Sequence, residues 1–248
     1  MTTSVPHQAT KPVSPTPRPS EDSTPPAPPG ASPATALPPG LAAALGSKFI
    51  VFDGPDGSGK STQLRRFIDA ARAAGLDPCE VREPGGTQIG EKIRAALLDH
   101  LEEDMTLRCE MLLYMASRAQ LVEQTIRPAL AAGRLVVADR FVSSTLAYQG
   151  AAGGLPEEEI RAAARIACGE TTPDLVVIFD VDEDTAATRL NPLLDRMESK
   201  GREYHKRVRQ GYLKQIESDP EHHLRIDASK GEDEVFASLI AGLSRCLS

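Results

Sequence analysis

The sequence predicts an α/β fold in which five parallel strands form a central sheet with helices on both faces. Three observations carry this expectation. Short apolar, β-branched runs alternate with segments whose apolar residues recur every 3 or 4 positions. A glycine-rich turn links the first such run to the first helical segment. Polar clusters recur just after strand-like runs, where an open parallel sheet collects its ligands.

Taken in order, Lys48 to Phe52 reads as a buried strand, and Thr62 to Ala74 as a helix with Leu64, Phe67, Ile68 and Ala71 on one face. Gly75 stops that helix. Pro78 to Arg82 is a second strand, Gly85-Gly86 a turn, and Gln88 to Leu98 a helix. Met105 to Leu130 is a long helical region with Met111, Leu112, Met115, Ala119 and Val122 along one face, expected to bend near Pro128. Arg134 to Ala138 is a strand ending at Asp139. Pro156 to Cys168 is a helix, with proline near its start and Gly169 just past its end. Asp174 to Val181 is another buried strand, followed by helices at Thr185 to Leu190 and Tyr204 to Ser218. His223 to Asp227 is the last strand and Glu232 to Leu247 the last helix. No internal repeat is visible.

Residues 1–46 are expected to be a disordered tail, and residues 47–248 the folded domain. The tail is rich in Pro, Ala, Ser and Thr, so it buries too little apolar surface to offset its ordering entropy. Pro25-Pro26, Pro28-Pro29 and Pro38-Pro39 favour extended polyproline II stretches. A ligand for a proline-binding domain is a minority reading of it. Lys11, Arg18, Glu21 and Asp22 make the tail formally neutral, so the net charge of −7 falls on the rest. That balance argues against a nucleic-acid partner, which wants a basic surface. No apolar run approaches the roughly 20 residues of a membrane helix. No apolar core follows Met1, which disfavours a secretory signal, and an organellar transit peptide is weakly supported. Cys79, Cys109, Cys168 and Cys246 are scattered without a C-x-x-C pair and read as reduced thiols. The expected location is therefore cytoplasmic.

Gly54, Gly59, Lys60 and Ser61 fit the G-x-x-x-x-G-K-[ST] pattern, set between a strand and a helix N-terminus. Such a turn aims backbone N–H groups at phosphate oxygens, and the helix dipole adds partial positive charge. Lys60 would reach β- and γ-phosphates, and the Ser61 hydroxyl would ligate Mg²⁺. Arg82-Glu83-Pro84-Gly85-Gly86-Thr87 follows the second strand. Arg82 could fork onto a second phosphate, although an ordinary turn with a solvated arginine fits equally well. Asp139-Arg140 follows the third strand; an acid there can hold Mg²⁺ through water, and the arginine can neutralise a transferring phosphoryl group. Tyr114 and Arg118 are four apart on one helix and share a face, a pair that could stack on and bond a base. In isolation the same pair more often marks a core tyrosine and a surface arginine. Asp195 to Arg209 carries Arg196, Lys200, Arg202, Lys206, Arg207 and Arg209. It reads as a solvated face, or as a mobile segment closing over a nucleotide.

Together these motifs resemble the thymidylate kinase family over about residues 47–247. The resemblance rests on Asp56 to Thr62, Arg82 to Thr87, Ile89 to Glu91, Tyr114 to Gln120, Asp139-Arg140 with Ser143, Ser144 and Ala147 to Gly150, and Asp195 to Glu198 with Arg207 to Leu213. It implies a three-layer P-loop fold with a small lid at about 190–206, a homodimer, and transfer of the ATP γ-phosphoryl group to dTMP with Mg²⁺. It places Gly54, Pro55, Asp56, Gly57, Ser58, Gly59, Lys60, Ser61 and Thr62 on ATP, and Ser61 and Asp139 on the metal. It places Asp56 on the sugar 3′-hydroxyl, Arg82 and Arg140 on the dTMP phosphate, and Tyr114 and Arg118 on thymine. Tyr148 crowds the sugar 2′ position, and Ser144 and Gln149 complete the dTMP site. Because residues 55–58 hold no arginine, the lid should supply a catalytic cation, with Arg196 the best match among Arg189, Arg196, Lys200 and Arg202. The resemblance thus casts Lys60, Arg140, Asp56 and Arg196 as catalytic. Two rival readings remain: another nucleoside monophosphate kinase, and a catalytically silent nucleotide-binding protein.

Overall fold

The computed structural model describes residues 37–99, 104–189, 196–197 and 200–247. Strands β1 (Phe49–Asp53), β2 (Cys79–Arg82), β3 (Val136–Asp139), β4 (Leu175–Asp180) and β5 (His223–Asp227) form one parallel sheet in the order β2-β3-β1-β4-β5. Each lies within two residues of its expected bounds. β1 and β4 are buried along their whole length, as strands covered on both faces must be. The pleat sends Phe49 and Val51 into one core and Ile50 and Phe52 into the other.

The first core is closed by helices α4 (Leu107–Leu121), α7 (Glu157–Cys168) and α9 (Arg202–Ser218), and the second by α2 (Lys60–Ala73) and α10 (Glu232–Cys246). Helix α3 (Gln88–Leu98) packs beside α4. It starts from Thr87, whose Oγ1 accepts a hydrogen bond from Gly90 N at 2.9 Å. The long helical region does not simply bend at Pro128. A π-helical turn at Val122–Ile126 joins α4 to a short helix, α5 (Arg127–Ala131), and the proline falls in the first turn of α5. A wider turn just before proline accommodates its missing N–H and its ring.

The expected tail needs one correction. Residues 37–46 are part of the fold: Pro39–Ala44 forms helix α1, and Leu37, Leu41 and Leu45 are buried in the second core. Proline-rich flanks hid three leucines spaced four apart, the period of one helix face. Residues 1–36, and residues 190–195 and 198–199 of the expected lid, with Leu190 at the end of a predicted helix among them, lie outside the described residues.

A truncation tests the new boundary. Deleting residues 1–36 is expected to leave turnover and melting temperature nearly unchanged. Deleting residues 1–46 removes the three leucines, each worth about 1.5–3 kcal/mol of burial, and is expected to lower Tm by roughly 10 °C or more. Thermal unfolding of the two truncations checks this.

Candidate active site

The carboxyl ends of β1, β2 and β3 open into a cleft of about 360 Å³ whose walls include Asp56, Lys60, Arg82, Tyr114, Asp139, Arg140, Tyr148 and Gln149. The sheet order explains the convergence. β1 sits between β3 and β4, with Phe52 in register with Asp139, so the loops after β1 and β3 are neighbours.

After β1 the chain turns through Gly54, Gly57 and Gly59, all at positive φ, and enters α2 at Lys60. Gly54 shows why glycine is needed. Its φ is +143°, and a Cβ there would lie 2.5 Å from the backbone oxygen of Phe179 on β4. Gly54→Ala is expected to cost about 2 kcal/mol or more; denaturant unfolding of the variant checks this.

The Lys60 ammonium is buried, and its Nζ lies 3.0 Å from Asp139 Oδ1. That oxygen is itself buried and accepts no hydrogen bond, so the contact is an ion pair without hydrogen-bond alignment. Ser61 also lines the cleft.

Asp53, the last residue of β1, is fully buried and organises the floor. It accepts hydrogen bonds from Ser143 Oγ (2.6 Å), Ser144 Oγ (2.7 Å), Tyr212 Oη (2.6 Å) and Gly54 N (2.9 Å). Among the described residues, Arg140 is the one non-glycine residue near the cleft at clearly left-handed backbone, with φ +73°. Such a conformation costs roughly 1–3 kcal/mol. It is held by its N–H on Phe52 O (3.0 Å) and by its guanidinium, which donates to Ser144 Oγ (2.9 Å), Tyr148 Oη (3.3 Å) and the Asp56 carboxylate. Tyr148 Oη donates to the other Asp56 oxygen at 2.6 Å. Burial works against ionising Asp56, but Arg140, Lys60 and the Tyr148 hydroxyl outweigh it and hold the carboxyl below its ordinary range.

Helix α6 (Val142–Thr145) runs into a π-helical turn at Leu146–Ala152. α6 puts Ser144, and this wide turn Tyr148, on the cleft side, and the turn packs against α9. At Gly211 of α9 a Cβ would meet Ala151 Cβ at 2.6 Å, so the close approach needs a glycine. Sequence patterning did not foresee this turn, because its shape depends on α9, far along the chain.

Arg82 reaches the cleft and pairs with Glu91 at 3.1 Å, with both side chains about half exposed. Its loop is fixed from behind by Ser117 Oγ, which accepts from Gly85 N at 3.1 Å. Arg94, which sequence patterning passed over, also lines the cleft and donates to Pro84 O at 2.9 Å. The signal lay in its place, two turns into the helix after the glycine pair.

Two expected site residues are held by protein partners in this structure. Arg118, expected on a base carbonyl, is only 1% exposed and lies behind the cleft wall. Its guanidinium donates to Glu83 Oε2 (2.8 Å), Phe141 O (3.0 Å) and Thr145 Oγ1 (3.2 Å). A buried carboxylate at Glu83 demands a countercharge, and Arg118 supplies it. Burial nevertheless leaves the Glu83 carboxyl above its ordinary range. Arg196, expected over the ATP phosphates, is instead held by Glu110 Oε2 at 2.7 Å and by Leu97 O at 2.7 Å. The buried Glu110 carboxylate outcompetes solvent for it. The other lid candidates are also engaged away from Lys60: Arg189 on Ala228 O (2.8 Å), Lys200 on Glu110 (3.2 Å) and Arg202 on Asp184 (2.7 Å).

Comparison with known proteins agrees with this geometry. The thymidylate kinase family model matches residues 52–239. The chain is 42% identical to the thymidylate kinase of an Exiguobacterium species over 207 residues, covering 81% of this chain and 98% of the relative. It is 44% identical to that of Pseudomonas fluorescens over 193 residues (77% and 92%) and to that of Symbiobacterium thermophilum over 190 residues (76% and 89%). The glycine-rich strand–turn–helix unit, the arginines lining the cleft and this match across most of the chain lead to one conclusion: the chain belongs to the thymidylate kinase family.

Proposed function

We propose that the chain transfers the γ-phosphoryl group of ATP to dTMP, giving dTDP and ADP. The observation that carries this reading is the Asp56–Arg140–Tyr148 constellation inside a cleft that Lys60, Arg82 and Tyr114 also line. Such a transfer needs little beyond alignment and charge neutralisation. In this reading the 54–62 loop and Lys60 cradle the ATP phosphates. Arg140, Arg82 and Arg94 face the acceptor phosphate. Asp56, kept ionised by its neighbours, accepts from the sugar 3′-hydroxyl. Tyr114 offers its ring to the base, and Tyr148 crowds the sugar. Arg118 supports the wall through Glu83, and the cations assigned to the transferring group are Lys60 and Arg140.

The buried, hydrogen-bond-free Oδ1 of Asp139, in a cleft that Ser61 also lines, suits Mg²⁺, which takes few protein oxygens and shares substrate phosphates. Bound there, Mg²⁺ would offset charge on the phosphates. A homodimer is part of the same proposal, supported by Ile89, Leu112 and Ile166, which stand exposed on α3, α4 and α7. So is a reducing, cytoplasmic setting, supported by four free cysteines. Among the described residues no helix is long and apolar enough to cross a membrane.

A coupled ADP-release assay across dTMP, dUMP, UMP, CMP, AMP and GMP tests the substrate. The highest kcat/KM is expected for dTMP; preference for any other member would replace this reading with that of a different nucleoside monophosphate kinase.

A further inference from the structure

Glu110 lies on α4, one turn before Tyr114, and is 1% exposed. Its carboxylate has partners from two distant segments. Gln149 Nε2, from the π-helical turn, donates to Oε1 at 2.8 Å. From the lid side, Arg196 Nη2 stands 2.7 Å and Lys200 Nζ 3.2 Å from Oε2. Burial opposes ionisation, but these donors prevail and hold the Glu110 carboxyl below its ordinary range.

An ionised carboxylate only accepts hydrogen bonds. The Gln149 amide must therefore turn its NH₂ toward Glu110 and its carbonyl oxygen away. Gln149 lines the cleft, as Tyr114 does, and its Oε1 makes no hydrogen bond among the described residues. The amide thus offers the cleft an acceptor. A pyrimidine whose N3 carries a proton, as in thymine or uracil, can donate to it. Cytosine presents a lone pair at N3 and meets repulsion. The lid side adds a second consequence. Met197 follows Arg196 directly and forms part of the cleft wall, so docking Arg196 on Glu110 seats Met197 there.

We propose that Glu110 is a positioning residue that fixes the Gln149 amide to select an N3–H pyrimidine and, through Arg196 and Lys200, docks the lid on the same carboxylate. This rests on the reading of the cleft as a pyrimidine nucleotide site. No contact between Glu110 and substrate is required.

The test is calorimetric binding of dTMP and dCMP to the unaltered protein and to Glu110→Gln, with thermal unfolding alongside. Glutamine nearly matches glutamate in shape, but its own amide can accept from or donate to Gln149, so the orientation is no longer forced. The ratio of dCMP to dTMP Kd is expected to fall by about tenfold or more, since a site with a fixed acceptor discriminates better than one with a reorientable amide. dTMP itself should bind more weakly as the lid loses its anchor. If Glu110→Gln fails to fold, Glu110→Asp keeps the charge but withdraws it by one methylene, and the same loss of discrimination is expected. A folded variant with an unchanged ratio overturns the proposal, and so does failure of both variants to fold, which would make Glu110 a folding residue. Because the readout is binding, a protein that binds selectively but forms no dTDP would count against the function and not against this role of Glu110.

Discussion

Lys60→Ala is expected to lower kcat by about 10²–10³-fold, the loss typical when one preorganised donor to a developing charge is removed. The argument starts from position. Lys60 is the first residue of α2, where the loop amides and helix dipole already favour an anion, and its ammonium is buried against Asp139. Charge on the β- and γ-phosphates changes most during transfer, so the loss should appear chiefly in kcat rather than in dTMP affinity. The fold should survive, because Asp139 is about a quarter exposed and water can solvate the vacated carboxylate. Steady-state kinetics at saturating MgATP checks this, and a kcat within tenfold of the unaltered enzyme would remove Lys60 from the catalytic role.

Arg140→Ala is expected to damage both binding and stability. Asp53 and Asp56 both face this guanidinium, Asp53 at 3.5 Å and Asp56 in direct contact. Removing it leaves two carboxylates close together with less countercharge, at a cost on the order of 3 kcal/mol. The dTMP phosphate loses a partner at the same time. A comparison with Arg140→Gly separates the contributions. Glycine tolerates φ +73° and alanine does not, so the glycine variant should be more stable than the alanine variant by about 1 kcal/mol. Urea unfolding of both variants, with dTMP titration, decides the matter; equal stability of the two would mean the backbone relaxes once the side chain is gone.

Features written locally were legible in the sequence. The turn at Gly54–Ser61 announces itself because its glycines, lysine and serine are fixed by the shape of a strand–turn–helix unit. Arg82, Asp139 and Arg140 were found because they follow strands, and a parallel sheet gathers such positions at one edge. What patterning missed depends on partners far along the chain. Arg118 shares a helix face with Tyr114, yet its direction is set by Glu83 and Thr145, from other segments. Glu110 reads as one more polar helical residue until Gln149 and Arg196 arrive beside it. Asp53 looks like the end of a strand, and only Ser143, Ser144 and Tyr212 reveal it as the support beneath the loop. Leu37, Leu41 and Leu45 were hidden by composition: a proline-rich neighbourhood outweighed a four-residue spacing that signals one buried face.

The central claim is that the cleft is a working two-phosphate site. Its most direct test is to incubate the purified protein with ATP, Mg²⁺ and dTMP and to separate the products by anion-exchange chromatography. Formation of dTDP and ADP in equal amounts, abolished by omitting dTMP, is the expected result. Binding of ATP and dTMP without any dTDP would contradict the claim and leave a nucleotide-binding protein that performs no transfer.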